Sequence, residues 1–166
     1  MNRATKTSIL AITFCLTAMA LTLHSEAWVG KTFFMHSDGT LDENMSEPFI
    51  VRTTAYTQND GFTPGNTTAT GKRVRHGHAA YMPEYFGWTV IVYAVAEDGG
   101  LGEVLMYAEI QDTGGKAIRS GKTIDIYHDT LKECREWMKL TANIHGVKGY
   151  KRSQSVVYVQ LVRADG

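Results

Sequence analysis

The sequence predicts a mainly all-β fold in which short strands form a barrel or a sandwich. Five stretches are rich in the β-branched and aromatic residues that favour extended backbone, and they span 49–57, 88–96, 103–111, 122–127 and 155–162. Clusters of glycine, proline or asparagine separate most of these stretches. Many short strands with turn signals between them are typical of β-barrels and β-sandwiches.

One segment departs from the strand pattern and predicts a short helix before the last strand. In "HDTLKECREWMKL" four residues recur at spacings of three and four, and they are Leu131, Cys134, Trp137 and Met138. This spacing places them on one face of a helix, which is expected to pack in the core. Asp129 or Thr130 can cap its start. The polar segment "TANIHGVKGYKRSQ" that follows has two glycines and predicts a surface loop.

The first residues have the pattern of a secretory signal peptide, which we place at 1–27. Two basic residues precede an apolar run over 9–23, and "SEA" supplies the small residues that precede a cleavage point after Ala27. A membrane anchor is the alternative, but the run is shorter than the roughly 18 to 20 apolar residues that a spanning helix needs. We therefore expect export to the periplasm, the cell wall or the extracellular space.

The rest of the chain is long enough for one domain. We expect an irregular N-terminal arm over 28–48 and a barrel domain over 49–166, with no internal disulfide because Cys134 is then the only cysteine. The formal charge is zero, and no lysine and arginine cluster stands in the sequence. We therefore expect the protein to bind neither nucleic acid nor, after cleavage, a membrane. We also expect a monomer.

Two aspartates flank a glycine-rich bend in "EIQDTGGKAIRSGKTIDIYHD". Gly114 and Gly115 permit positive φ and a tight reversal, and Gly121 permits a second bend, so the carboxylates of Asp112 and Asp125 are expected to converge.

Asp125 lies in mid-strand, where alternation places Ile124 and Ile126 on the opposite face. A carboxylic acid among apolar neighbours and beside a second carboxylate tends to stay protonated, and it can then protonate a leaving oxygen. The alternative is structural: Asp112 would accept hydrogen bonds from the amides of Gly114 or Gly115, and Asp125 would serve a neighbouring loop.

A zinc site is a further reading of the histidines. His76 and His78 form an H-x-H motif that could combine with His128 and Asp129. No third ligand stands at a spacing that defines a zinc motif, so we expect neither a metal nor another cofactor. A Ser/His/Asp hydrolase is less favoured, because no serine lies in a nucleophile-elbow sequence.

Three blocks of the chain resemble the three-aspartate (3D) domain, whose fold is a six-stranded double-psi β-barrel. The blocks are "TAYT" from 54, "TATGKRVRHGHAA" from 68 and, most specifically, "DTGGKAIRSGKTIDIY" from 112. The resemblance runs over about 51–162. The barrel is similar in plan to that of membrane-bound lytic transglycosylase A and, more distantly, to those of rare lipoprotein A and the expansins.

The resemblance implies a peptidoglycan lytic transglycosylase, which cleaves the β-1,4 bond between MurNAc and GlcNAc and forms 1,6-anhydro-MurNAc. Asp125 would be the general acid and base, and Asp112 would support it. The residues expected to bind the glycan strand are Tyr56, Thr70, Lys72 and Gly114.

The chain departs from the family pattern at two places. Met82 stands where the family has an aspartate before proline. The nearest acid that could replace this aspartate is Glu84, which would face the same side as Met82 if both lay in a strand. The segment 140–154 is longer than the family's. Loss of the aspartate favours an alternative function, a barrel that binds or loosens the wall without cleaving it. A zinc-dependent amidase or peptidase is the third reading.

Overall fold

The computed structural model describes residues 44–58 and 65–163, and it confirms the all-β class. Six strands form a closed barrel in the order β1-β5-β2-β4-β3-β6, which is compatible with a double-psi barrel. The strands are β1 (Phe49–Tyr56), β2 (His78–Ala80), β3 (Thr89–Val95), β4 (Leu101–Asp112), β5 (Thr123–Tyr127) and β6 (Val156–Val162). The helical elements are a 3₁₀ turn (Pro83–Tyr85), α1 (Lys116–Arg119) and α2 (Leu131–Leu140). Over these residues, no helix is long and apolar enough to cross a membrane.

Alternate residues of the strands face the barrel interior, and most of these inward-facing residues are apolar. Ile124 and Ile126 of β5 are both 0% exposed and belong to one core cluster with Val157 and Val159 of β6. Burial of each such side chain contributes about 2 kcal/mol, so the alternation fixes the strand register. Asp125 lies between the two isoleucines and therefore projects from the opposite face, as the sequence predicts.

Strand β2 is one element that the sequence patterns did not predict. It has three residues, too few for an alternating pattern, and it stands inside a stretch that looks like a polar loop. In the barrel it lies between β4, to which it is parallel, and β5, to which it is antiparallel. β1 also pairs in parallel with β5. These pairings bring residues from distant parts of the chain side by side.

Helix α2 starts where the sequence predicts and packs against β1. Thr130 forms a capping box with Glu133: the Thr130 hydroxyl accepts from the Glu133 amide at 3.2 Å, and the Glu133 carboxylate accepts from the Thr130 amide at 2.9 Å. Trp137 is buried and its Nε1 donates to Thr53 Oγ1 at 3.0 Å. The predicted apolar stripe is wrong at its edges, because Leu131 is 45% exposed and Met138 is 36% exposed.

Residues 1–43 lie outside the described residues, so the signal peptide over 1–27 and most of the arm over 28–48 stay predictions. The end of the arm is attached to β6. Ser46 N donates to Leu161 O, and Leu161 N donates to Ser46 Oγ, each at 2.9 Å. The barrel domain is therefore extended by a short segment that lies along its last strand.

Candidate active site

The strand register places both predicted acids in one row on the outer face of the barrel. Asp125 on β5 pairs with Thr54 of β1 on one side and with Ala80 of β2 on the other. Ala80 also pairs with Asp112 of β4. The pairing of β2 with β4 shifts by one residue between Ala79 and Ala80, which brings Asp112 opposite Ala80, and the contact of Asp112 with Tyr56 of β1 places it on the same face as Thr54. We call Thr54, Asp125, Ala80 and Asp112 the acid row; two strand spacings, roughly 10 Å, separate the Cα atoms of its aspartates.

Asp125 is half-buried and is held by a side-chain hydroxyl. Thr54 Oγ1 donates to Asp125 Oδ1 at 2.7 Å. A hydrogen bond to a carboxyl oxygen fixes the plane of the carboxyl group and so determines where its second oxygen points. Thr54 was not among the predicted site residues. Its role depends on the parallel pairing of β1 with β5, which no local sequence pattern reveals.

Asp112 is half-buried and is held mainly by backbone amides. Its Oδ1 accepts from Ala69 N at 3.0 Å and from Thr113 N at 2.9 Å. Its Oδ2 accepts from the Tyr56 hydroxyl at 3.4 Å, a long contact. The structural alternative predicted amides of Gly114 or Gly115 as donors, and the actual donors are different. Asp112 therefore ties the end of β4 to the loop that contains Ala69.

Tyr56 lies between the two carboxylates. Its ring is buried and contacts the Tyr127 ring edge-on at a centroid distance of 5.4 Å. Burial raises the pKa of the Tyr56 hydroxyl well above its ordinary value, and the negative charges of Asp112 and Asp125 raise this pKa further. The hydroxyl is therefore neutral across the physiological pH range and acts as a donor beside both acids.

Thr70 and Lys72, two predicted glycan-binding residues, lie on the loop beside the acid row. The Thr70 hydroxyl donates to Gln111 Oε1, and Gln111 Nε2 donates to Glu109 Oε1. Lys72 Nζ lies 3.0 Å from the same Glu109 oxygen, and its side chain is 54% exposed. An ammonium group has three donors, so the Glu109 contact leaves Lys72 able to bind a ligand oxygen.

The glycines after Asp112 act differently from the prediction. Gly114 and Gly115 do not adopt positive φ; Gly115 has φ −64° and immediately precedes α1. Gly114 instead lies close to Ile118, because a Cβ there would be 2.5 Å from Ile118 Cδ1 and the end of that side chain would have to shift. Gly121 has φ +70°, as expected. The segment between the two aspartates therefore contains the one-turn helix α1. Gly114, in close contact with Ile118, precedes this helix, and Gly121, in the left-handed conformation, follows it.

Met82 lies at the edge of the site. Its backbone is extended, and the 3₁₀ turn begins at the next residue. Glu84 lies inside that turn and is exposed, so Met82 and Glu84 do not share a strand. A Cβ at Gly121 would lie 2.7 Å from Met82 Sδ. The thioether therefore packs against the bend that connects the two aspartates.

The histidines considered for zinc have other surroundings. The rings of His76 and His128 are 6.1 Å apart, and the buried His78 accepts from Arg75 Nε at 3.3 Å. Across 44–58 and 65–163, no three histidine, cysteine or acidic side chains are grouped as metal ligands. The described residues therefore give the zinc reading no geometric support.

Comparison of the chain with models of protein families and with curated proteins finds no match. The fold and the acid row are therefore the basis on which a function can be assigned.

Proposed function

We propose that this protein is a peptidoglycan lytic transglycosylase with a 3D-type double-psi barrel and Asp125 as its general acid and base. The observation that carries the proposal is the acid row, in which Asp125 and Asp112 share one face of the barrel with Thr54. The resemblance of "DTGGKAIRSGKTIDIY" to the 3D signature supports the same assignment.

The proposed reaction requires one group that donates and then accepts a proton. Protonated Asp125 donates its proton to the glycosidic oxygen as the bond from that oxygen to the muramic C1 breaks. The muramic 6-hydroxyl attacks C1, and its proton passes to the Asp125 carboxylate, which restores the acid. The products are a 1,6-anhydro-MurNAc end and a GlcNAc end with a free 4-hydroxyl, and no water is consumed.

This chemistry suits the unequal surroundings of the two aspartates. Glycoside hydrolases need a second carboxylate, which activates water or forms a covalent intermediate. A reaction with an internal nucleophile does not need this second carboxylate. Asp112 is engaged by two backbone amides, so we assign it to holding the loop with Thr70 and Lys72. Those two residues, with Tyr56 and Gly114, would contact the glycan strand.

A second candidate is a barrel that binds peptidoglycan without cleaving it, as the expansin-like relatives of the family suggest. The observation that favours it is Met82, which stands at the position of the one family aspartate that this chain lacks. Under this alternative, the acid row would hydrogen-bond to sugar hydroxyls, and neither aspartate would transfer a proton.

The test uses purified sacculi and mass spectrometry of the released fragments. The wild-type protein is compared with Asp125→Asn, which keeps an oxygen acceptor for Thr54, and with Asp129→Asn, which changes an exposed aspartate outside the acid row. We expect anhydro-muropeptides from the wild type and from Asp129→Asn, and at least a 100-fold lower yield from Asp125→Asn. Sedimentation of all three with sacculi, with no soluble fragments, would support the binding barrel and contradict the transglycosylase.

A further inference from the structure

A groove lies at the start of β1, next to the acid row. It encloses about 440 Å³, and its walls come from the start of β1, the turn after α1 and the loop 141–154. Arg52, Lys122, Tyr150 and Gln154 are among the residues that line it. The Arg52 amide donates to the Lys122 carbonyl at 3.3 Å, so the two cationic residues lie side by side.

The loop wall of this groove has a defined conformation. Asn143 is only 2% exposed, and its Nδ2 donates to the carbonyls of Tyr150 at 3.2 Å and Lys151 at 3.3 Å. Its Oδ1 accepts from Val147 N at 2.8 Å. The Tyr150 hydroxyl donates to Ile50 O at 3.1 Å, which holds the loop against β1. The segment that is longer than the 3D pattern therefore builds one side of the groove.

The surroundings of the groove are strongly cationic. The segments 48–58, 113–124 and 141–154 contain seven lysine and arginine residues and no aspartate or glutamate. The ion pairs within 44–58 and 65–163 are Lys72 with Glu109 and Lys132 with Glu136, and neither includes a residue of these segments. The groove therefore presents the cationic side chains of Arg52 and Lys122, neither of which belongs to an ion pair within 44–58 and 65–163.

The groove lies beside the acid row along β1. Arg52 and Thr54 are two residues apart on β1 and project to the same face, and their partners on β5 are Thr123 and Asp125. Two residues of a strand span roughly 7 Å, about the length of one sugar ring with its substituents. A glycan strand held at Asp125 would thus place a substituent near Arg52.

We infer that this groove binds a carboxylate carried by the glycan strand, an inference that rests on the proposed function. Arginine and lysine are the side chains that bind carboxylates, arginine through two parallel hydrogen bonds. Two sources of this group exist in peptidoglycan: the lactyl carboxylate of muramic acid on strands without peptide, and the carboxylates of the stem peptide. Neutral chito-oligosaccharides have neither and serve as the uncharged comparison.

The test measures affinity for chito-oligosaccharides, peptide-free glycan strands and stem-bearing strands in the Asp125→Asn background, where turnover is prevented. Arg52→Gln with Lys122→Gln removes two charges from the groove, and Lys122→Gln alone covers the case in which the double variant does not fold. Lys132→Gln with Lys139→Gln removes two charges from α2 as the matched control. Salt titration separates charge effects from shape effects.

We expect the double variant to bind carboxylate-bearing strands about tenfold more weakly in low salt, and chito-oligosaccharides unchanged. A loss confined to stem-bearing strands assigns the group to the stem peptide, and a loss shared by peptide-free strands assigns it to the lactyl group. Equal losses on the neutral oligosaccharide, or no loss on any strand, would overturn the inference.

The two proposals fail in different ways. Anhydro-muropeptide release by the active double variant, with unchanged affinity for every strand, would overturn the groove and leave the transglycosylase standing. Carboxylate-dependent binding by a protein that releases no anhydro fragments would overturn the transglycosylase and leave the groove.

Discussion

Asp112 and Asp125 are matched in chemistry and differ in what holds them. Asp112 ends a long strand and accepts from the amides of Ala69 and Thr113. Asp125 lies inside a short strand and accepts from the Thr54 hydroxyl. Backbone amides cannot rotate away, whereas a threonine hydroxyl turns about one bond. The comparison indicates that Asp112 fixes a loop, whereas proton transfer by Asp125 belongs to the proposed function.

Among substitutions that remove only polar contacts, Asp112→Ala is expected to lower stability most. This change leaves two amides without their acceptor and releases the loop beside the acid row, so the free energy of unfolding should fall by about 2 kcal/mol. In thermal denaturation the midpoint should drop by roughly 5 to 8 °C. Asp112→Asn keeps one acceptor oxygen and should lose less than half as much. Equal losses in the two variants would contradict the anchoring role.

Thr54→Val tests the other aspartate. Valine has the shape of threonine without the hydroxyl, so the Asp125 carboxyl loses the donor that orients it. We expect about a tenfold lower rate of anhydro-product release, with little change in the apparent KM. Thr54→Ser restores the hydroxyl and should recover most of the rate. A wild-type rate in Thr54→Val would show that this contact does not position the acid.

The pH dependence of stability should show a smaller effect, which arises from two buried histidines outside the acid row. Burial lowers the pKa of His128, with a contribution from His76, and burial also lowers the pKa of His78. The unfolded chain therefore binds more protons than the folded protein below about pH 6.5, so stability is full above that pH and declines as pH falls.

His128→Phe removes one of the two titrating imidazoles. An apolar ring should fit at this position, because His128 Nε2 is buried without a hydrogen-bond partner among the described residues. Between pH 7.5 and 5.5 we expect its melting temperature to fall by about 2 to 4 °C less than that of the wild type. His145→Gln changes an exposed histidine and should follow the wild type. A His128→Phe profile parallel to the wild-type profile would exclude His128 as a source of acid sensitivity.

The smallest effect is expected from Tyr56→Phe. The hydroxyl is 3.4 Å from Asp112 Oδ2, longer than a strong O–H···O hydrogen bond, so its removal should change activity less than about twofold. The ring packs against Tyr127, and Tyr56→Ala should destabilise the fold by about 3 kcal/mol in chemical denaturation. A large loss of activity in Tyr56→Phe would show that the hydroxyl, and not only the ring, contributes to the proposed glycan contact.

The sequence predicts what depends on local pattern. Alternation in "TIDIY" placed Asp125 opposite the core, and the capping residues located the start of α2. The sequence did not reveal β2, because its three residues form a strand only by pairing with β4 and β5. It also did not reveal the role of Thr54, which depends on the pairing of β1 with the distant β5.

The charge of the groove is hidden from the sequence for a related reason. Arg52 and Lys122 are distant in the chain, and no stretch looks like a cationic cluster. Parallel pairing of β1 with β5 brings them together. The conformation of the bend after Asp112 also depends on packing, because Gly114 makes room for Ile118, a contact that composition does not show.

The most direct test of the central claim is digestion of sacculi in water enriched in ¹⁸O, with mass spectrometry of the new chain ends. An internal 6-hydroxyl nucleophile predicts 1,6-anhydro-MurNAc ends that contain no ¹⁸O, and it predicts their loss in Asp125→Asn. Reducing ends labelled with ¹⁸O would show that water attacks C1, and the protein would then be a hydrolase that needs a second catalytic carboxylate.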